Sequence, residues 1–383
     1  MRLIFVQDSL GTGGAERSNA DLWYFLREQA GMVIKIVVLE HRKVGIENEI
    51  LKAGFDVTFL KKGSLLSQSK GLAYIIKEFN PDLVQSVLFK SAIRVRLAKR
   101  FTSFFHLEYI VNCSYSEIRY NDPKINNAGL TFFKYVNRFT QSKGVDHFVA
   151  LTYEVKDHAS KHLRINPSKI SVIPRGRSEN AFIDSKMQIR NEVRQELKIA
   201  QDEIVFIHVG RQEYQKAQTD LLKAIHSVDE NLKSSKAHFI FCGRKGNLTE
   251  EIEEFLLKNS LQTPVDWLGH RSDIPKVLLA ADVFVFPSLY EGLGGSLIEA
   301  QAAGLPIIAS DIKVFEEVVQ ENYNAELFKT SDIEDLAAKL QLMVNSPELR
   351  NKLGANSLRR FHEKFQIEDI HHRILNLYKK LAG

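Results

Sequence analysis

Cysteine is nearly absent. Cys113 and Cys242 are the only two in 383 residues, too few for a disulfide framework or a thiolate zinc site. Proline and glycine are scarce too, at 9 and 21 residues, far under the ~25% combined share of low-complexity or collagen-like chains. No apolar run approaches the ~20 residues of a membrane-crossing helix. The start, MRLIFVQDSLGTGG, has four apolar residues in succession, short of the ~7–15 of a secretory leader. A cytoplasmic protein is expected. The rest is ordinary enzyme composition, 44% hydrophobic and 26% charged, at a length that suggests two domains.

Charge of one sign is lacking in neither half, but the balance differs. Residues 1–180 carry 27 Lys+Arg against 17 Asp+Glu, a net of +10; residues 181–383 carry 25 against 30, a net of −5. The basic half is expected to face something anionic: nucleic acid, a membrane surface or a phosphorylated substrate.

Short β-rich runs alternate with amphipathic stretches throughout. The first half offers LIFV (3–6), IKIVVL (34–39), VTFL (57–60), LVQSV (83–87), EYIV (108–111), HFVAL (147–151) and ISVI (170–173). A polar, helix-prone break spans 174–203. Alternation restarts with IVFIHV (204–209), AHFIFCG (237–243), VDWLG (265–269), DVFVFP (282–287) and PIIA (306–309). This spacing predicts βαβ units and parallel, helix-covered sheets in two α/β domains. Doubly wound domains bind ligands at the carboxyl ends of their strands. The last stretch, from Pro347, is helical in pattern.

Three motifs carry chemistry. GTGGAERS (11–18) follows the first strand and opens a helix, where backbone N–H groups can meet an anion. It fails the G-x-G-x-x-G dinucleotide pattern at Glu16, which argues against an NAD oxidoreductase; a turn needed only for tight packing is the alternative. In HVGRQEYQKAQ (208–218), Arg211 and Lys216 follow the strand ending at Gly210. A fork and a point charge there suit a diphosphate, or else form a solvated surface pair. In PSLYEGLGGSLIEAQAAGLP (287–306), Gly294 and Gly295 leave backbone N–H groups free to point at a phosphate at the start of a helix. Glu291 and Glu299 can each accept two hydrogen bonds from a vicinal diol. Ser296 and Glu299 also form S-x-x-E, the signature of a capping box, in which Glu299 merely satisfies the helix start.

The run EGLGGSLIEAQAAGLP, with Glu291 and Glu299 eight residues apart, resembles the E-x7-E region of retaining family 4 glycosyltransferases with the GT-B fold. GGAER near the start, VIPRG (172–176), VGR with Lys216, and WLGHRSDIPKVLLAADVFVFPS extend the resemblance over nearly the whole chain. It implies two Rossmann-like doubly wound domains facing a central cleft: an acceptor domain, 1–178, rejoined by a C-terminal helix, 366–383, and a donor domain, 179–365. It also implies transfer of a sugar from a UDP- or GDP-linked donor to a glycan or lipid-linked acceptor, in surface polysaccharide or glycoconjugate biosynthesis.

By position, the resemblance implies that Arg211 and Lys216 hold the diphosphate and that Glu291 contacts the donor sugar, the three forming the catalytic set. Glu299 would bind the ribose diol, and Gly210, Gly294, Gly295, Ser296 and Leu297 would line the donor. Leu268–Arg271, with Gly269, His270 and Arg271, would lie along the base, and Gly13 and Gly14 would face the acceptor side. No bound metal or other cofactor is expected, the two cations supplying its charge. Departures are several. IVNCSYS (110–116) lacks the histidine that many relatives carry there, leaving Asn112 or Ser114 at the place and His106 at the wrong end of the strand. The usual Asn of V-I-P-N-G is Arg175, with Arg177 two residues on, and Ala217 replaces a glycine.

Lys90, Arg94, Arg96, Lys99 and Arg100, followed by Phe101, Phe104 and Phe105, read either as a solvated helix or as a contact with anionic lipid. With the basic first half, they suggest peripheral contact with the inner face of the membrane. No nucleic-acid recognition motif is present. A GT-B-like sugar-nucleotide epimerase and a non-catalytic nucleotide-sugar-binding subunit are the other classes consistent with this architecture.

Overall fold

Parallel strands covered by helices on both faces read as near-continuous apolar runs, and the runs named above are mostly apolar, with Gln85, Glu108 and His208 among the buried exceptions. The computed structural model describes residues 1–42 and 44–383, in two units. An N-terminal unit comprises 1–115, 126–176 and 368–383; a C-terminal unit comprises 116–125 and 177–367.

In the N-terminal unit, β1 (Arg2–Ser9), β2 (Val33–Glu40), β3 (Asp56–Phe59), β4 (Leu83–Ser86), β5 (His106–Ile110), β6 (His147–Ala150) and β7 (Ile170–Val172) form one sheet in the order β3-β2-β1-β4-β5-β6-β7. In the C-terminal unit, β8 (Ile204–Val209), β9 (Ala237–Cys242), β10 (Val265–Gly269), β11 (Val283–Phe286), β12 (Ile307–Ser310) and β13 (Ala325–Phe328) follow the order β10-β9-β8-β11-β12-β13. The strand pairings in both sheets are parallel. Each sheet is doubly wound, its order reversing between β1 and β4 and between β8 and β11. Such switch points open crevices at the strands' carboxyl ends. The loops after β8 and β11 therefore start side by side, and these are the loops that bear the candidate donor residues.

Five helices matter below: α1 (Gly14–Arg27), α2 (Phe89–Ala98), α3 (Asn127–Gly144), α4 (Gly295–Ala302) and α5 (Ile367–Ala382). The C-terminal helical stretch is two helices, Pro347–Lys364 and α5, parted at a bridge between Arg177 and Gln366. From Glu368 on, helix α5 belongs to the N-terminal unit, where Tyr378 is fully buried against Phe5 and donates its hydroxyl to Gln85.

The structure departs from the sequence reading in three places. The first is β13, whose AELF contains a charge; Glu326 is nevertheless buried, because Lys339 reaches it at 2.8 Å. The second is the basic stretch 90–100, which offers little free charge. Arg96 is buried and paired with Glu108, and Lys99 with Asp146. Arg94 donates to Gln68 at 2.7 Å, and Lys90 to Glu40 at 3.2 Å. Phe104, moreover, packs on the core. The third is the capping box, which does not form. Gly294 caps α4 at φ +79 with no side-chain bond, and Glu299 turns to Arg177 instead.

Candidate functional site

Gly210 follows β8 and must be small, since a Cβ there would meet His208 Nε2 at 2.9 Å and Lys216 Cδ at 3.2 Å. The chain then makes one tight turn, Tyr214–Lys216. Ala217 closes it at φ +50, the left-handed region where glycine is at ease and an L residue is strained. The turn is stitched to the loop after β11: Leu289 N–H donates to Gln215 O, and Gln215 Nε2 to Tyr290 O, both at 2.8 Å. Ala217, Leu289 and Tyr290 pack together, with Ile118 and Tyr214 beside them.

This stitching carries Lys216 onto Glu291. The two form an ion pair, with side chains only 16% and 10% exposed, and the ammonium also lies 4.6 Å from the centre of the Phe286 ring. Beneath it is His208, which the sequence reading passed over. Its Nδ1–H donates to Val285 O at 3.0 Å, and Nε2 faces the Gln218 amide at 3.2 Å. Burial, with Lys216 nearby, pushes His208 down to about 4. It is therefore neutral at physiological pH and does not repel Lys216. The motif H-V-G-R held the signal: a histidine inside a buried strand needs partners on both ring nitrogens.

Arg211, by contrast, is 57% exposed and pairs with Glu213 at 2.5 Å. Gly243 sits against the same loop, where a Cβ would lie 1.8 Å from Gly210 O. Its N–H donates to Gly269 O at 2.7 Å. Gly210, Gly243 and Gly269 thus join the carboxyl ends of β8, β9 and β10. Gly269 has φ +64 and His270 is exposed. Arg271 is committed elsewhere, to Asp273 at 2.7 Å and Glu196 at 2.8 Å.

Past Glu291 the loop enters α4, whose first residues, Gly295 and Ser296, are half-buried, with Leu297 buried below. Leu297 N–H returns to Gly294 O at 2.9 Å. Glu299 receives Arg177 Nε at 2.7 Å. The structure so brings Gly210, Lys216 and Glu291 together, and Gly295 and Glu299 around Arg177. Gly13 and Gly14, at the start of α1, belong to the N-terminal unit, where Arg175 donates to Gly14 O at 3.0 Å. In that unit Asn112 and Ser114 follow β5, and the Asn112 Oδ1 is buried without a partner among the described residues. His106 is sealed below the strand between Ser86 Oγ at 2.8 Å and Gly144 O at 2.6 Å, away from those loops. Among the described residues no cluster of His, Cys, Asp and Glu has a metal-holding arrangement.

Two family models match. The one for glycosyl transferases group 1 covers residues 189–360, and that for Glycosyltransferase Family 4 covers 12–179. Between them they take in nearly the whole chain and each motif above. The chain belongs to the family 4 glycosyltransferases. It is 27% identical over 337 residues to the UDP-Gal:alpha-D-GlcNAc-diphosphoundecaprenol alpha-1,3-galactosyltransferase of Escherichia coli, covering 86% of this chain and 84% of that one. It is 34% identical, over 38% of each chain, to the N,N'-diacetylbacillosaminyl-diphospho-undecaprenol alpha-1,3-N-acetylgalactosaminyltransferase of Campylobacter jejuni.

Among solved structures, a glycosyltransferase from Rickettsia africae superposes with TM-score 0.82 at 20% identity, over 100% of this chain and 99% of that one. HepE of Anabaena, crystallised with UDP-glucose, gives 0.84 at 17% identity, over 99% and 100%. The glycosyltransferase therefore has the GT-B fold and is a transferase; the epimerase and binding-subunit readings gain no support.

Proposed function

We propose that this glycosyltransferase moves a sugar from a UDP-linked donor to a lipid-linked diphosphate acceptor, with retention at the anomeric carbon, in assembly of a surface polysaccharide. The observation that carries the reading is the Lys216–Glu291 pair, held at the switch point of the C-terminal sheet beside the glycine entrance to α4. The E. coli relative, whose name specifies UDP-galactose and a diphosphoundecaprenol acceptor, supports the choice of donor and acceptor.

The barrier to such a transfer is charge separation. An oxocarbenium-like centre develops while the nucleoside diphosphate departs. Lys216 and the amides of Gly294, Gly295 and Ser296 are held in place before reaction, so they stabilise that departing charge without reorganising. The exposed Arg211 turns to it from Glu213, and the Leu297 N–H is already engaged by Gly294 O. Glu291 positions Lys216 and meets sugar hydroxyls; Glu299 takes the ribose diol. Gly269, His270 and Arg271 border the base, and Gly13 and Gly14 serve the acceptor. Same-face attack, the leaving phosphate accepting the acceptor's proton, is favoured over a covalent step on Glu291, whose carboxylate is already engaged by an ammonium. The cations perform the role of a metal ion.

For a lipid-linked acceptor the enzyme must visit the membrane, and α3 suits this better than the stretch 90–100. Its buried face is Leu130, Asn137, Gln141 and Gly144; Phe132, Tyr135 and Phe139 point the other way, 65%, 59% and 74% exposed. The helix has no acidic residue and exposes Lys143, while Lys134 and Arg138 are half-buried, Lys134 against His162 at 3.3 Å. The aromatics therefore carry most of a contact with an anionic surface.

The test is a thermal-shift panel of nucleotides and nucleotide sugars, followed by transfer to a diphosphate-lipid and NMR of the product's anomeric centre. A ligand that binds only the folded state raises Tm. Absence of a shift with each nucleotide, and of transfer, refutes the reading; an inverted product refutes retention.

A further inference from the structure

Arg177 stands where it can serve the donor, although no motif assigned it a role. Its backbone is clamped at both ends, N–H to Phe365 O at 2.9 Å and O from Ile367 N–H at 3.0 Å. The side chain is largely buried, and Nε bonds Glu299 Oε1 at 2.7 Å. Its Nη2 lies so close over the start of α4 that a Cβ on Gly295 would sit 2.3 Å from it. The guanidinium thus occupies the side-chain space of residue 295, and that space exists only because residue 295 is glycine. A cation is parked on the carboxylate proposed to bind ribose and against the amides proposed to meet phosphate.

A nucleoside diphosphate carries what each member of this ion pair needs. Its ribose diol offers two hydroxyl donors to a carboxylate, and its diphosphate offers anionic oxygens to a guanidinium. We propose that Arg177 is a further donor-binding residue: the guanidinium passes from Glu299 to the donor diphosphate as the ribose diol takes the carboxylate. This rests on the donor reading above. Each charge exchanges one partner for another, so neither is left desolvated and unpaired during binding. A nucleoside without phosphate can only compete with Arg177 for Glu299. A diphosphate compensates Arg177 for the loss.

Isothermal titration of wild type, Arg177→Met and Arg177→Lys with UDP and with uridine tests the exchange. Loss of a charge-assisted hydrogen bond weakens UDP binding by ~10- to 100-fold in Arg177→Met. Uridine binding is unchanged or a few-fold tighter, because Glu299 is released. Arg177→Lys regains part of the UDP affinity, and the unliganded Tm of both variants shows that they fold. Equal weakening of UDP and uridine overturns the proposal in favour of a brace that merely orients Glu299, and unchanged UDP binding overturns it outright. A wild-type protein that binds neither UDP nor GDP, ADP, CDP or dTDP brings down the donor reading itself, before the variants are compared.

Discussion

Lys216 and Glu291 come from loops after neighbouring strands and close on each other in a nearly dry setting, with the Phe286 ring against the ammonium. Such a pair is tolerated only while both members are present, because removing one leaves an uncompensated buried charge, at about 3–5 kcal/mol. Lys216→Met is expected to lose stability of that order and to lower kcat by ~10²- to 10³-fold, the usual effect of deleting one fixed electrostatic group. Lys216→Met with Glu291→Gln should recover most of the stability and none of the activity. Urea titration and steady-state kinetics on the three proteins separate the two effects. A Lys216→Met enzyme with wild-type kcat would end the catalytic assignment.

Gly243 makes a second prediction about the same loop. The carbonyl of Gly210 occupies the place of a Cβ at 1.8 Å, and backbone cannot step aside as a side chain can. Gly243→Ala therefore displaces the Gly210–Arg211 segment, with a loss of at least about 1–3 kcal/mol and weaker nucleotide binding. Gly14→Ala is the control, since nothing lies within 4 Å of its Cβ. The loop model fails if the two variants have equal Tm.

Much of this was legible in the sequence because burial on both faces leaves a plain mark. Val283–Phe286 is apolar throughout and Ile204–Val209 is apolar but for His208, and the turn glycines fall where strands end. What was not legible depended on long-range pairing. Glu326 looks unfit for a buried strand until Lys339 is placed beside it, and Arg96 looks solvated until Glu108 is seen below. Ser296 and Glu299 have the spacing of a capping box, but a left-handed glycine already starts that helix and Arg177, far away in sequence, holds the glutamate. His208 was hidden for a similar reason, its partners Val285 and Gln218 lying on other elements.

Buried histidines make the fold acid-sensitive, unequally between units. Burial pushes His106 and His371 in the N-terminal unit down to about 4 and His158 to about 3; His208, in the C-terminal unit, falls to about 4. All four stand below the ordinary value near 6.5, so between those limits the unfolded chain binds more protons than the folded one. Stability then falls as pH drops below ~6.5 and keeps falling toward pH 4, each histidine contributing on the order of 1–3 kcal/mol. The N-terminal unit, holding three of the four, should unfold first. One tryptophan sits in each unit, Trp23 and Trp267, so Trp267→Phe and Trp23→Phe report the units separately. Urea midpoints of the two that fall in parallel from pH 7 to 5 would contradict this.

The outward face of α3 gives the last prediction. Phe132, Tyr135 and Phe139 stand in water, each forgoing a burial worth on the order of 1–2 kcal/mol, and the helix's three cations face no acid of its own. If this face seats on an anionic bilayer, changing all three aromatics to serine should reduce partition onto phosphatidylglycerol-rich vesicles by at least ~100-fold. Activity on a water-soluble acceptor analogue should be unchanged. Lys90→Gln with Arg94→Gln, cations already engaged by Glu40 and Gln68, should alter partition far less. Co-sedimentation at low and high salt measures both, because screening weakens the cationic share and leaves the aromatic share. A triple variant that still sediments with the vesicles would remove α3 from the membrane contact.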